Sequence, residues 1–228
     1  LPAMLLINGV FWQHVFSVVL SKQRYYAKYV GIILFWEKQH MAQARTLKER
    51  ELKQLLGFIE LRRHALRNRI VLLLGHWAGM RVGEIAALRY GDVLAADSTI
   101  LPELRLSAEQ TKGSRARIVY LPEKLRKELL NYVRTYPQSN LNHALFYSQK
   151  RAQFTANALA QLLHSLYRAA GLNGASSHSG RRSFITKLAS KGVGIRVLQA
   201  LAGHRDIRTT AVYIEANDAM KRAAVELV

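Results

Sequence analysis

HSGRRSFITKLASKGVGIRVLQALAGHRDIRTTAVY, residues 178–213, decides how the rest of the chain is read. Gly180, Gly192, Gly194 and Gly203 divide it, and the apolar residues between them recur at helical spacing. The pattern predicts helices over residues 180–190, 195–201 and 209 to about 215. Its polar residues include an ordered set, His178, Arg181, His204 and Tyr213. Arginine and histidine donors are what a phosphodiester needs as its charge rises in a transition state, and a tyrosine beside them supplies a nucleophile. Upstream, Arg81 and Lys112 extend the same series.

Working outward from this stretch, Thr46 and Glu49 have capping-box spacing ahead of Leu52, Leu55, Leu56, Ile59 and Leu61, which predicts an amphipathic helix to about Arg63. A leucine-rich helix follows over residues 65–78, with Gly79 able to end it, and residues 82–88 read as a shorter one. Asp92 is placed to cap the entry to the next region. From Leu101 the apolar period changes to two. Residues 103–107 and 117–121 alternate like strands around Thr111, Lys112, Gly113 and Ser114, so a β-hairpin with a basic turn is expected. Pro122 sits where a helix can begin, with Leu125, Leu129, Leu130 and Val133 as its apolar face. Residues 144–148 read as a short strand. Thr155 caps a helix through Leu159, Leu162, Leu163 and Leu166 that Gly171 closes, and Asn217 caps a last helix reaching Val228. With no repeat and no low-complexity linker, residues 41–228 read as one domain, mainly α with a small antiparallel β-sheet (α+β).

The chain has 228 residues, half of them hydrophobic, which is enough for a sizeable core. Its formal net charge of +19 exceeds the magnitude of roughly 2 to 8 that solubility asks of a small domain. A polyanionic partner is therefore expected, nucleic acid ahead of an anionic membrane. Of the basic residues only Lys22, Arg24, Lys28 and Lys38 precede Met41, so the excess charge belongs to residues 41–228, where it is dispersed and forms no basic arm. The absence of cysteine excludes disulfides, a thiolate nucleophile and Cys-ligated zinc, and suits a reducing compartment, with the bacterial cytoplasm and its nucleoid as the default. Residues 1–40 differ from the rest. Ala3 to Leu20 is an apolar run interrupted by Asn8, Gln13, His14 and Ser17, and residues 29–36 form a second. The interruptions and the lack of a basic leading segment argue against a signal peptide or membrane anchor. These residues read as a poorly specified N-terminal extension, with Met41 as the expected biological start.

Five segments occur in order: Ala78-Gly-Met-Arg-Val-Gly-Glu84, Thr111-Lys-Gly113, His178-Ser-Gly-Arg181, Leu201-Ala-Gly-His204 and Thr209-Thr-Ala-Val-Tyr213. Taken singly, each has an ordinary reading: Arg81 as a partner of Glu84 on a helix surface, Lys112 as a solvated turn residue, the histidines as helix-end residues, Tyr213 as a packing residue. Together the segments resemble the tyrosine recombinases, the phage-integrase family, over essentially all of residues 41–228. The resemblance implies a tyrosine-recombinase catalytic domain with the DNA breaking-rejoining fold, acting as a site-specific DNA recombinase or integrase. It implies that Arg81 and Arg181 clamp the non-bridging oxygens of the scissile phosphate and that Lys112 protonates the departing 5′ oxygen. His178 would assist proton removal from the tyrosine, His204 would donate a hydrogen bond to the phosphate, and Tyr213 would form a 3′-phosphotyrosine. Because that bond keeps the energy of the phosphodiester, no cofactor and no metal is implied. Arg115, Arg117 and Arg182 are candidates for contacting the DNA backbone, and Glu84 is expected to hold a neighbouring helix or arginine.

The pattern departs from the family in two places. Members usually carry a separate helical core-binding domain ahead of the catalytic one, and residues 1–40 do not look like it, so either the basic body or an accessory DNA-binding protein supplies the grip on double-stranded DNA. Gly180 stands where the commoner His-x-Leu-Arg form has leucine, a change that weakens a helix start by roughly 0.5 to 1 kcal/mol relative to alanine. In the tail, Met220, Ala223, Ala224 and Leu227 form an apolar set; by analogy with the family it packs into a neighbouring protomer, giving a homo-tetramer on paired sites. Two other functions fit parts of the pattern. Type IB topoisomerase-like DNA relaxation shares the chemistry without needing partner sites. A non-catalytic regulator would use residues 197–213 as a helix-turn-helix, with Tyr213 only packing.

Overall fold

The computed structural model describes residues 44–111, 115–148, 152–214, 221–222 and 225–226, and the account below concerns these. The N-terminal extension, Lys112 with the hairpin turn around it, and most of the expected last helix lie outside them.

The first helix, α1 (Glu49–Glu60), buries Leu52, Leu55 and Ile59. Its start differs from the expected capping box. Lys48 is the cap, and its backbone N–H donates to Glu51 Oε2 at 2.8 Å. Glu49 instead receives Lys187 Nζ at 2.8 Å, and the Leu47 N–H donates to Ser183 Oγ at 2.8 Å. Both contacts tie α1 to a helix far along the chain.

The second helix, α2 (Ala65–Ala78), is buried on almost every side: Ile70 through Leu74 are all buried, and so are Arg67, Asn68 and His76. A helix buried nearly all round belongs in the middle of a core, and α2 packs against α1, against α5 (Glu123–Thr135) and against α7 (Ser179–Ala189). Gly79 ends it in the left-handed region at φ 63°. A Cβ there would lie 2.5 Å from the Phe184 ring, so both the backbone and the neighbour require glycine. The chain then buries Met80 and enters α3 (Val82–Ala87) from Arg81.

One short helix was not apparent from the periodicity: α4 (Tyr90–Val93). Asp92 organises it, accepting from the Arg89 N–H at 2.8 Å and from Gln110 Nε2 at 2.7 Å. The hairpin follows, β1 (Glu103–Leu106) against β2 (Arg117–Tyr120), antiparallel with Glu103 opposite Tyr120 and Leu106 opposite Arg117. Helix α5 (Glu123–Thr135) starts after Pro122. Residues 144–148 do not form the expected strand; they make isolated bridges, Arg89 with Ala144 and Tyr147 with Gln153. Side chains take the place of a strand neighbour here. Tyr132 Oη donates to the Leu145 carbonyl at 2.9 Å and Arg67 Nη1 to that of Tyr147 at 2.8 Å.

The remaining helices are α6 (Ala156–Ala169), capped by Thr155 Oγ1, which accepts from the Ala158 N–H at 3.1 Å, then α7 (Ser179–Ala189), α8 (Ile195–Ala202) and α9 (Ile207–Ala211). Helix α6 packs on α3, and α8 packs on α7, β2 and α9. The described elements are thus mainly helical around one antiparallel pair of strands.

Gly180 has a packing reason. A Cβ on it would meet His76 Cδ2 at 2.9 Å and the Gly75 backbone carbon at 3.1 Å, so a bare backbone is what lets the start of α7 lie against α2. His76 is buried there with Nε2 3.3 Å from Tyr167 Oη, and burial pushes its pKa down to about 4.

Restoring the commoner residue by Gly180→Leu should therefore destabilise the fold by about 1 to 3 kcal/mol through overpacking, read as a lowered urea midpoint. His76 predicts a pH effect. The folded state takes up its proton only below about pH 4, the unfolded state near the ordinary value of 6.5. Stability is therefore full above pH 6.5 and falls as pH drops towards 4, by up to roughly 3 kcal/mol. In His76→Asn the wild-type drop in urea midpoint across that window should shrink.

Candidate active site

The site is built on the carboxyl end of α8. The last carbonyls of a helix lack partners within the helix and carry its negative pole. Three guanidinium groups fill them here. Arg117 Nη1 donates to the Leu201 carbonyl at 2.9 Å, Arg181 Nη2 donates to that of Ala202, and Arg81 Nη2 to that of Gly203 at 2.8 Å. Gly203 has φ 60°, and a Cβ on it would come 2.9 Å from Arg117 Cδ. Arg181 also donates through Nη1 to the Gly79 carbonyl at 2.7 Å, which joins the end of α2 to the same cluster.

One carboxylate orders the arginines. Glu84 Oε1 receives Arg81 Nη1 at 2.8 Å and Arg117 Nε at 3.0 Å; Oε2 receives the Arg81 backbone N–H at 2.8 Å and Arg117 Nη2 at 2.7 Å. The residue is 1 % exposed. Burial alone would raise its pKa, but the hydrogen bonds and charge of Arg117 and then the hydrogen bonds from Arg81 outweigh it and hold the group below its ordinary value. Glu84 is thus ionised at neutral pH, and it is one anion among three cations. Arg181 carries the consequence. Burial first, then the charges of Arg81 and Arg117, push its pKa down to about 9, still cationic at neutral pH but short of compensation.

His204 follows Gly203 directly and places Nδ1 2.9 Å from Thr210 Oγ1. Burial, then Arg181, Arg81 and Arg117, push its pKa down to about 4, so it is neutral in this pocket. Its ring stacks on that of Tyr213, centroids 6.1 Å apart and planes 18° apart. Tyr213 lies two residues past α9, half-buried, with the Arg182 guanidinium carbon 5.5 Å from its ring centre.

Four of the residues singled out in the sequence, Arg81, Arg181, His204 and Tyr213, are therefore brought together. His178 stands exposed at the start of α7, its backbone N–H donating to Ser176 Oγ at 3.3 Å. Lys112 lies outside the described residues; Thr111, just before it, donates from Oγ1 to the Arg115 carbonyl at 2.6 Å. Arg115 is exposed. Two of the expected DNA-backbone candidates are placed differently from a free surface arginine. Arg117 spends its donors on Glu84 and Leu201, and Arg182 lies over the tyrosine, with its Nε buried and unpaired among the described residues. The position of Arg117 has a sequence signal: it alternates with Val119 on the inward face of β2. Thr210, which has none of its surface exposed, was also missed. Its signal is a threonine one helical turn before the tyrosine. Among the described residues no group of three or more His, Cys, Asp or Glu is placed to hold a metal ion. The pocket is suited to an oxyanion: desolvated cations on fixed acceptors, a neutral imidazole and a phenol side by side.

The model of the phage integrase family matches residues 45–220. The chain is similar to a tyrosine recombinase of Thermosipho africanus, 32 % identical over 180 residues, which are 79 % of this chain and 60 % of the relative. Similarity to the tyrosine recombinase XerA of Pyrococcus furiosus is 28 % over 185 residues, 80 % of this chain and 61 % of that one. Among solved structures, a crystal structure of XerA recombinase matches with a TM-score of 0.63 and 28 % identity, covering 80 % of this chain and 64 % of that one. The XerH site-specific recombinase, in a post-cleavage complex with palindromic difH substrate, matches with a TM-score of 0.57 and 26 % identity over 79 % of this chain and 51 % of that one. The chain thus spans about 60 % of the length of these curated relatives.

Removing the shared carboxylate leaves two desolvated cations facing each other. Glu84→Ala should cost about 3 to 5 kcal/mol in chemical denaturation, and Glu84→Gln a comparable amount, because the amide keeps one acceptor oxygen but removes the charge and turns a donor NH2 towards two of the four N–H groups that Glu84 accepts from.

Proposed function

The chain belongs to the phage integrase family, and from that premise we propose that it is a site-specific DNA recombinase which cuts and rejoins strands through a covalent 3′-phosphotyrosine on Tyr213. The observation that carries the reading is the cationic pocket at the end of α8, where Arg81, Arg181 and a neutral His204 are held beside the half-buried phenol of Tyr213.

In the proposed reaction the Tyr213 oxygen bonds to the scissile phosphorus and the bond to the 5′ oxygen breaks. The phenolic proton leaves with the assistance of His178, and the departing oxygen takes a proton from Lys112. Each guanidinium carries five hydrogens. The hydrogen bonds of Arg81 to Glu84 and Gly203, and of Arg181 to Gly79 and Ala202, take two from each side chain. The others remain for the non-bridging oxygens, and because the protein acceptors already fix both planes, little reorganisation accompanies charge development. His204 would add a hydrogen bond without adding charge. Rejoining is the same reaction reversed by a 5′-hydroxyl, with the phosphodiester energy kept in the tyrosyl ester.

The +19 charge supports double-stranded DNA as the partner, held largely through phosphates. A homo-tetramer on paired sites, joined by the tail, is part of the proposal, as is an accessory DNA-binding protein. A cavity of about 820 Å³ lined by Leu52, Trp77, Leu121, Phe184 and Leu188 among others offers apolar space for such a tail. Among the described residues no helix is long and apolar enough to cross a membrane, and the reading places the chain with the nucleoid in a bacterial cytoplasm.

Incubation with nicked suicide duplexes should trap a covalent adduct that peptide mapping places on Tyr213, absent in Tyr213→Phe. Arg181→Lys should slow adduct formation by about 10²- to 10³-fold, the scale for losing one fixed donor to a developing oxyanion. Tight DNA binding with no adduct would favour the helix-turn-helix regulator, and relaxation on a single site would favour the topoisomerase. Truncation after residue 215 should abolish pairing of sites; unaltered pairing would remove the tail from the proposal.

A further inference from the structure

We infer that Thr210 is a positioning residue that fixes His204 in the tautomer carrying its proton on Nε2, making the imidazole a hydrogen-bond donor towards the scissile phosphate; this rests on the recombinase reading of the site. Thr210 sits on α9 one turn before Tyr213 with no exposed surface. Among the described residues its hydroxyl has one hydrogen-bond partner, His204 Nδ1 at 2.9 Å. A hydroxyl has one proton and two lone pairs, and a buried proton without an acceptor costs more than a lone pair left unused. The proton of Thr210 therefore goes to Nδ1. Nδ1 then accepts, and the single proton of a neutral imidazole is left on Nε2.

The alternative way to put a proton on Nε2 is to charge the ring, and the surroundings oppose it. Burial and the cations Arg181, Arg81 and Arg117 hold the pKa of His204 at about 4. At neutral pH the donor comes from tautomer choice alone. The ring is also held against Tyr213. One hydroxyl on the helix that leads to the nucleophile thereby orients the phosphate donor, so the donor and the nucleophile are set by the same turn of backbone.

The test uses the full chain labelled with nitrogen-15 histidine, and long-range proton–nitrogen correlation at neutral pH, with the His204 signals assigned by their loss in His204→Gln. Wild type and Thr210→Ser should show the Nε2–H pattern. Thr210→Val, which keeps the shape and removes the hydroxyl, should show Nδ1–H or a mixture. On suicide duplexes Thr210→Val should slow adduct formation by about 10- to 100-fold, by analogy with the loss of a partner that orients a metal-bound histidine. DNA affinity should be unchanged, and Thr210→Ser should restore most of the rate. In the His204→Gln background Thr210→Val should cost nothing further. A wild-type spectrum with the proton on Nδ1 overturns the inference even if Thr210→Val does not fold. So does an unchanged tautomer in folded Thr210→Val, or an equal rate loss in the serine and valine variants. Failure of the wild type to form any adduct would sink the recombinase reading instead, and the spectra distinguish that case.

Discussion

Two arginines share one buried carboxylate, and the relative positions of three otherwise separate parts of the chain follow from that sharing. Glu84 belongs to α3, Arg117 to β2, and both Arg117 and Arg81 reach on to the carbonyls that end α8. A buried ion cluster is expensive to desolvate and adds little net stability unless its geometry is good. Its value here is placement. Both oxygens of Glu84 are used twice, so neither guanidinium can turn without breaking a charge-assisted bond. Glu84 orders the cations without neutralising them, and Arg181, which does not touch it, is left with carbonyl oxygens as its acceptors among the described residues.

Much of the scaffold was legible in the sequence because it depends on local rules. The limits of α2 follow from an apolar run stopped by Gly79, and the hairpin from a change of period. Such features depend on neighbours in sequence and are visible in one dimension. The misses share the opposite character. Helix α4 is one turn long, too short for any periodicity, and exists because Asp92 accepts from Arg89 and Gln110. Residues 144–148 form a short apolar run that reads as a strand, but Tyr132 and Arg67 satisfy carbonyls that a neighbouring strand would have taken. The start of α1 was misplaced by two residues because Glu49 is drawn to Lys187.

The site shows the same division. Chemistry-bearing residues could be picked out by type and order, and the geometry gathers Arg81, Arg181, His204 and Tyr213. What type and order cannot say is which cation is spent on the protein itself. Arg117 and Arg182 looked like surface arginines in the sequence; one is tied into the Glu84 cluster and the other lies over the nucleophile's ring. Gly180 was legible as a departure and illegible as a compensation, because the His76 that fills its missing side chain lies on another helix.

The cluster sets three guanidinium groups around one carboxylate. Any anion that enters supplies the counterion the interior lacks, so ligation and folding are thermodynamically linked, and whatever occupies the pocket raises the stability of the whole domain by mass action. Small oxyanions satisfy the same donors as a phosphodiester. Sulfate or inorganic phosphate in a buffer should therefore act in two opposed ways on this chain, protecting it from unfolding while competing for the groups that would act on a nucleic-acid backbone.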